Sequence, residues 1–222
     1  MNPPNYTSGG YINFNEEHNI EMNIYHQKYN LDGDQALAMM FTSNYFKGFL
    51  WNKIFDVSII KKYGLRLDPG VKYCEDLLFT TQYLAHCVRV YYLSEPFYHY
   101  RIHGNNATEH GNPAVTVTGI DAYVKICSIM KKNLVSEDII CLAKEGIPYT
   151  AIKTMADMAY RNVYDNATAL KSFNYFRDYA QFYHKHGIEP RLIKLIFKVK
   201  PTLVYRYFKL KTAIKKLLRP ME

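Results

Sequence analysis

Apolar and polar positions follow two different rhythms along this chain, and the change comes near residues 111–113. Over 32–43 the spacing predicts a helix: Asp32 stands at an N-cap position and Gln35 follows at the capping-box distance. Residues 44–55 form a compact aromatic segment, and 56–63 read as a short helix stopped by Gly64. In 75–86, Leu77, Leu78, Thr81, Leu84 and Ala85 recur on one helical face. Two runs rich in Tyr, Val and Ile follow, 88–93 and 97–102, and read as strands separated by Ser94-Glu95-Pro96. Beyond residue 113 the pattern is helical, over 115–134, over 136–162 with a break at 146–148, and over 168–186. Ser136-Glu137-Asp138 and Asn166-Ala167-Thr168 mark helix starts. The first thirty residues, polar and rich in Asn and Tyr, predict loop and one short strand.

The fold class expected from this order is α+β, with a few strands and helices in 1–112, a helical region in 113–190 and a tail in 191–222. Composition supports a folded protein: 48% of the 222 residues are hydrophobic and 22% are charged. Cys74, Cys87, Cys127 and Cys141 form no CxxC pair and have no His at zinc-finger spacing, so they are expected to be reduced, buried thiols of a cytosolic chain without a signal peptide. No run of about 18 apolar residues is present to span a membrane.

Charge changes the picture once it is located. Residues 191–222 hold ten Lys/Arg and one acid, whereas residues 1–190 hold 18 basic and 19 acidic residues. A nearly neutral body with a basic, aliphatic tail argues against nucleic acid as the partner. After Pro201, apolar Leu203, Val204, Tyr207, Phe208, Leu210, Ile214, Leu217 and Leu218 fall on one helical side, and Arg206, Lys209, Lys215, Lys216 and Arg219 take much of the other. Such a helix either lies on an anionic membrane surface or packs on the body with a solvated basic face.

Candidate chemistry centres on Glu75-Asp76, set at the start of the apolar helix over 75–86. Acids in a first turn are favoured by the helix dipole, so the pair can be purely structural. A carboxylate held there can equally take a proton from an acceptor hydroxyl, and the two roles do not exclude each other.

The neighbouring segments are "GFLWNKIFDVSIIKKYGLRLDPGVKYCEDLLF" and "VYYLSEPFYHYRIHGNNAT". Their elements, in order, are the WNK segment Trp51-Asn52-Lys53, the R-x-D of Arg66 to Asp68, the Glu75-Asp76 pair, and a P-x-Y-x-Y-R run ending at a His. Taken together, residues 48–108 resemble the second half of a GT-A glycosyltransferase of family 2, of the kind that builds bacterial capsule, exopolysaccharide or lipopolysaccharide. The resemblance implies Asp76 as the base that deprotonates the acceptor hydroxyl, with Glu75 orienting it. It implies Trp51, Asn52 and Lys53 as substrate-binding residues, with the Trp51 ring as an acceptor-side wall, and Arg101 as a contact to diphosphate oxygens. It implies His103 as a ligand of Mn2+ or Mg2+ on the donor diphosphate, with His99 as second choice. Partners would be a nucleotide-sugar donor and a saccharide or lipid-linked acceptor, at the cytoplasmic face of the cell membrane, where the basic tail docks peripherally.

Such an enzyme also needs a nucleotide-binding half ending in Asp-x-Asp. Only 47 residues precede Gly48, and one βαβ unit takes roughly 30 or more. Asp32-Gly33-Asp34 has the Asp-x-Asp form but opens a helix, and is read as a cap. The expectation is therefore a truncated enzyme, lacking the donor-binding half, which a separate polypeptide would have to supply. The alternative is a catalytically inactive, membrane-associated binding or scaffold subunit.

Overall fold

In the computed structural model, which describes residues 6–14, 19–20, 28–43, 46–101 and 111–218, the two longest strands lie side by side and parallel. They are β1 (Tyr6–Phe14) and β5 (Val90–Arg101). The opposite edge of β1 is shared: β4 (Lys53–Phe55) pairs antiparallel with residues 6–8, and β2 (Asn19–Ile20) with Asn13 and Phe14. Along the outer edge of β5 runs β3 (Lys28–Leu31), also antiparallel. The order is β2-β1-β5-β3, with β4 paired to β1.

Two expectations change here. The polar N-terminal stretch supplies a nine-residue strand instead of a short one, because β1 pairs along its whole length with β5 and at its two ends with β4 and β2. Asn and Gly content does not record such long-range pairing. The runs 88–93 and 97–102 are one strand of 12 residues. Its register jumps twice, Gly9, Gly10 and Tyr11 facing Leu93, Pro96 and Tyr98 in turn. The extra residues of β5 bulge out there, and Pro96, with no N–H to give a ladder, sits at the irregularity.

The helices of this region begin and end as local chemistry dictates. In α1 (Gly33–Thr42) the Gln35 N–H donates to Asp32 Oδ1 at 2.8 Å, and the Asp32 N–H donates to Gln35 Oε1 at 3.0 Å, a complete capping box. In α2 (Val57–Tyr63) Asp56 caps Ser58, and Gly64 closes the helix at φ 62°, where Leu65 N–H reaches Ile60 O. Next comes α3 (Glu75–Leu84). Leu37 and Met40 of α1, Leu78, Tyr83 and Leu84 of α3, and Val90 and Tyr92 of β5 are buried, together with Phe46.

Seven helices follow among the described residues: α4 (Pro113–Thr116), α5 (Thr118–Lys132), α6 (Glu137–Lys144), α7 (Gly146–Tyr160), α8 (Asn166–Asp178), α9 (Ile188–Ile196) and α10 (Pro201–Leu217). The α+β class holds. Two compact units emerge. The first draws its described residues from 1–69, 74–110 and 125–142, the second from 70–73, 111–124 and 143–222.

In the second unit the helix expected over 115–134 is interrupted at Val117. Thr118 Oγ1 accepts the N–H groups of Lys72 and Tyr73 at 3.0 and 3.1 Å and donates to Val115 O, so the chain breaks to serve those donors. The break expected at 146–148 falls at Glu145, with Pro148 tolerated in the first turn of α7. Asp165 caps α8 through the Thr168 N–H. The core is a helical stripe on α7, formed by Ile147, Ala151, Met155 and Met158, covered by Phe173 and Phe176 of α8, Ile193 of α9, and Val204 and Phe208 of α10. Phe197 stacks on Phe176 with ring centroids 4.0 Å apart. The tail therefore packs over its proximal turns. Farther along α10, Leu210, Ile214, Leu217 and Leu218 stay exposed. Among the described residues no helix is long and apolar enough to cross a membrane.

Candidate active site around Asp76

The start of α3 is unusual in its backbone. Cys74, at the N-cap, sits at φ 65° and ψ 22° and offers no side-chain cap. A left-handed conformation costs an L-residue about 1–2 kcal/mol, so the turn that aims Glu75 and Asp76 is held by its surroundings. Both acids lie in the first turn, where the helix still has unsatisfied N–H groups and a favourable dipole.

The segment from Phe46 to Lys53 is laid against this helix. Ser43 Oγ accepts the Phe46 N–H at 2.9 Å, and Thr80 Oγ1 donates to Gly48 O at 2.9 Å. A Cβ at Gly48 would stand 2.7 Å from Leu77 Cα, so only glycine permits this approach. The approach brings the Leu50 N–H to the Asp76 carboxylate and puts Lys53 within its field. Asn52 is 8% exposed. Its Oδ1 accepts from Lys53 Nζ at 2.7 Å, and the same ammonium lies 5.8 Å from the centre of the Phe46 ring.

Opposing effects set the protonation of this group of residues. Burial and the neighbouring Glu75 raise the Asp76 pKa above the usual carboxylate value, although the Leu50 N–H and Lys53 pull the other way. Burial lowers Lys53 to about 7, with Asp76 resisting the shift. A carboxylate of raised proton affinity thus stands beside an amine of lowered proton affinity, a pairing suited to proton exchange.

Trp51 adds a flat surface. Its ring stacks on Phe49 at 4.9 Å and lies 4.4 and 5.3 Å from Tyr98 and Tyr100 of β5. Tyr98 is 36% exposed, so part of the platform is open. Such a surface can take the apolar face of a sugar ring and leave its hydroxyls to polar neighbours.

Five expected site residues, Trp51, Asn52, Lys53, Glu75 and Asp76, are thus placed in or beside this group. β5 alternates, so Tyr98 and Tyr100 face the indole while His99 and Arg101, both exposed, take the other face. His103, the expected metal ligand, lies outside the described residues. Among the described residues no group of three His, Cys, Asp or Glu side chains is arranged to hold a metal ion. Asp68 of the R-x-D is ion-paired with Lys125 Nζ at 2.5 Å. The residues that sequence reasoning missed are Phe49, Tyr98, Tyr100 and the Leu50 N–H. Only the Tyr-x-Tyr spacing in a strand carried a signal for them. No protein-family model matches the sequence, and no curated protein does.

Proposed function

We propose that this chain is the acceptor-side, base-carrying part of a family-2-like glycosyltransferase acting in cell-surface polysaccharide synthesis. It works with a nucleotide-sugar-binding part, on a longer chain or a separate polypeptide. Asp76 takes the proton of an acceptor hydroxyl as that oxygen bonds to the anomeric carbon. The bond from that carbon to the phosphate oxygen breaks, and its electron pair leaves with the nucleoside diphosphate. The carrying observation is the convergence of the Leu50 N–H and Lys53 on Asp76, next to Trp51 and its aromatic partners. Lys53, held by Asn52, offsets the anionic charge of Asp76 and orients the acceptor side. Mn2+ or Mg2+ on the donor diphosphate would stabilise the leaving group in a complete enzyme, and no step here depends on it. The protein works on the cytoplasmic face of the membrane, where its basic tail meets a lipid-linked acceptor.

Trp51 is the only tryptophan, so its fluorescence reports the platform directly. The chain is titrated with oligosaccharides, and with UDP and UDP-sugars with and without Mn2+. Saturable quenching by a saccharide, weakened in Tyr98→Ala and unchanged in Leu134→Asp, supports an acceptor site. A Trp51 signal that no saccharide and no nucleotide moves rules the assignment out.

A further inference from the structure

The distal turns of α10 differ from the proximal ones in what covers them. Val204 and Phe208 are buried in the helical core, whereas Leu210, Ile214, Leu217 and Leu218 are 62%, 47%, 83% and 77% exposed. These four positions recur at i, i+4, i+7 and i+8, and so form one stripe. Beside the stripe lies a groove of about 350 Å3 between α7 and α10, lined by Asp157, Tyr160, Phe208, Lys211, Thr212 and Lys215 among others. Lys211 stands three residues before Ile214, and Lys215 three before Leu218, so groove and stripe adjoin along the helix.

The charges decide what can occupy them. Asp157 faces the groove, but its carboxylate already accepts from Thr116 Oγ1 at 2.7 Å and from Lys153 Nζ at 3.1 Å. Lys211 pairs with Glu189, which also accepts the Tyr207 hydroxyl at 3.0 Å. No Asp or Glu stands between Glu189 and Glu222, while Arg206, Lys209, Lys211 and Lys215 flank the stripe. A second copy of the chain laid on this face would set cation against cation, which disfavours self-association. An anionic bilayer offers hydrocarbon for the leucines and phosphate for the lysines together.

Resting on the membrane-associated role proposed above, we infer that the α7–α10 groove receives the phosphate headgroup of an anionic lipid while Leu210, Ile214, Leu217 and Leu218 enter the acyl layer. Lys215 meets the phosphate first, and Lys211 shares itself between phosphate and Glu189. Thr212 adds a hydroxyl at the groove wall.

The test is co-flotation of the full chain with vesicles of phosphatidylcholine alone and of three parts phosphatidylcholine to one part phosphatidylglycerol. The expected result is binding to the anionic vesicles, roughly tenfold or more above the neutral ones and weakened by salt. Leu210→Asp/Leu217→Asp abolishes it, and Lys215→Glu cuts it several-fold. Leu134→Asp, at another exposed leucine, leaves it unchanged. All the replaced side chains are exposed, and helical circular dichroism checks that the fold persists. Equal binding to both vesicle types, no vesicle binding, or a dimer in sedimentation that Leu217→Asp dissolves would each overturn the inference. Trp51 quenching by saccharide, read in the same samples, reports the sugar site separately, so failure of one does not imply failure of the other.

Discussion

Helices α1 and α3 both open on acidic residues, and the two openings differ in what the acids touch. At α1 the Asp32 carboxylate accepts from the Gln35 N–H, and the Gln35 side chain returns to the Asp32 N–H. The acid is consumed by the backbone. At α3 the N-cap position is held by Cys74 in a left-handed conformation with no capping side chain. Glu75 and Asp76 follow inside the first turn, and the Asp76 carboxylate meets a neighbouring loop, at the Leu50 N–H and Lys53. The same residue type near the same end of a helix is therefore a structural cap in one case and a partly buried carboxylate turned to a neighbouring loop in the other. What separates them is the N-cap residue: α1 has an acid there, which folds back on the helix N–H groups, whereas α3 has Cys74 there and its acids begin one residue later.

The sharpest way to break that comparison is to neutralise each acid in turn. In a transfer assay with the donor-binding part supplied, Asp76→Asn is expected to lower the rate 10²–10⁴-fold, about 3–5 kcal/mol of barrier, because asparagine keeps the size but takes no proton. Stability should hold or rise: the folded pKa of Asp76 is raised, so its ionised form costs the fold free energy at neutral pH. Asp32→Ala is expected to do the reverse, costing about 1 kcal/mol in thermal unfolding and leaving transfer intact. Equal losses of stability in the two variants would erase the distinction.

Lys53 sharpens the comparison through pH. Its folded pKa of about 7 lies below the ordinary lysine value, so from about 7 upward the unfolded chain binds the extra proton. Stability contributed by this residue therefore rises with pH through that window, while Asp76 acts oppositely in the acid range above the usual carboxylate pKa. Denaturant titrations between pH 6 and pH 10 are expected to show a gain of roughly 3 kcal/mol from Lys53, after allowance for water near the amine. In Lys53→Met that slope should vanish. A slope unchanged in the variant would mean that Lys53 is solvated and does not face Asp76.

The loop that reaches α3 has its own weak point. Gly48→Ala drives a Cβ to within 2.7 Å of the Leu77 Cα and 2.6 Å of its Cδ1. The backbone contact cannot rotate away, so about 2 kcal/mol of overpacking is expected, with the Trp51 emission shifting as the segment lifts. Gly64→Ala has no such neighbour. It meets only the penalty of its left-handed conformation, about 1 kcal/mol, and should leave Trp51 unaffected.

The ease with which these features could be read from sequence follows their range. Asp32 with Gln35, and Gly64 after a short amphipathic helix, were legible because every partner lies within a few residues. Strand β1 was legible only as a short strand in loop, since its pairing partner is the distant β5 and its own Asn and Gly content speaks against a strand. The two register jumps hid β5 as two runs, because Pro96 looks like a terminator when its strand neighbours are unknown. At the site, Trp51-Asn52-Lys53 was singled out only through the family resemblance and Glu75-Asp76 also by its place at a helix start, and the approach of Leu50 and Lys53 to Asp76 was legible in neither resemblance nor periodicity. The face carried by Tyr98 and Tyr100 could be counted from alternation, but that Trp51 fills it could not. Helix α10 shows the same limit. Its apolar stripe runs unbroken through Val204, Phe208 and Leu218, and periodicity alone does not say where the covering helices stop.

The smallest expected effect returns to Cys74. A residue at φ 65° carries a steric penalty that glycine lacks, whereas glycine adds freedom to the unfolded chain. The two offset in part, so Cys74→Gly is expected to stabilise the protein by a few tenths to about 1 kcal/mol. Leu134 offers the matched control. It has φ 58°, it is 90% exposed, and Val135 N–H reaches Met130 O across it as at a helix C-terminus. Leu134→Gly should yield a similar gain with no effect on transfer. Cys74→Gly should also loosen the turn that aims Glu75 and Asp76, so its gain in stability is expected to come with a several-fold lower transfer rate. If both glycines stabilise and neither alters transfer, the left-handed Cys74 is only an awkward helix start. If only Cys74→Gly alters it, the strain at that position holds the acids of α3 in the orientation that those of α1 lack.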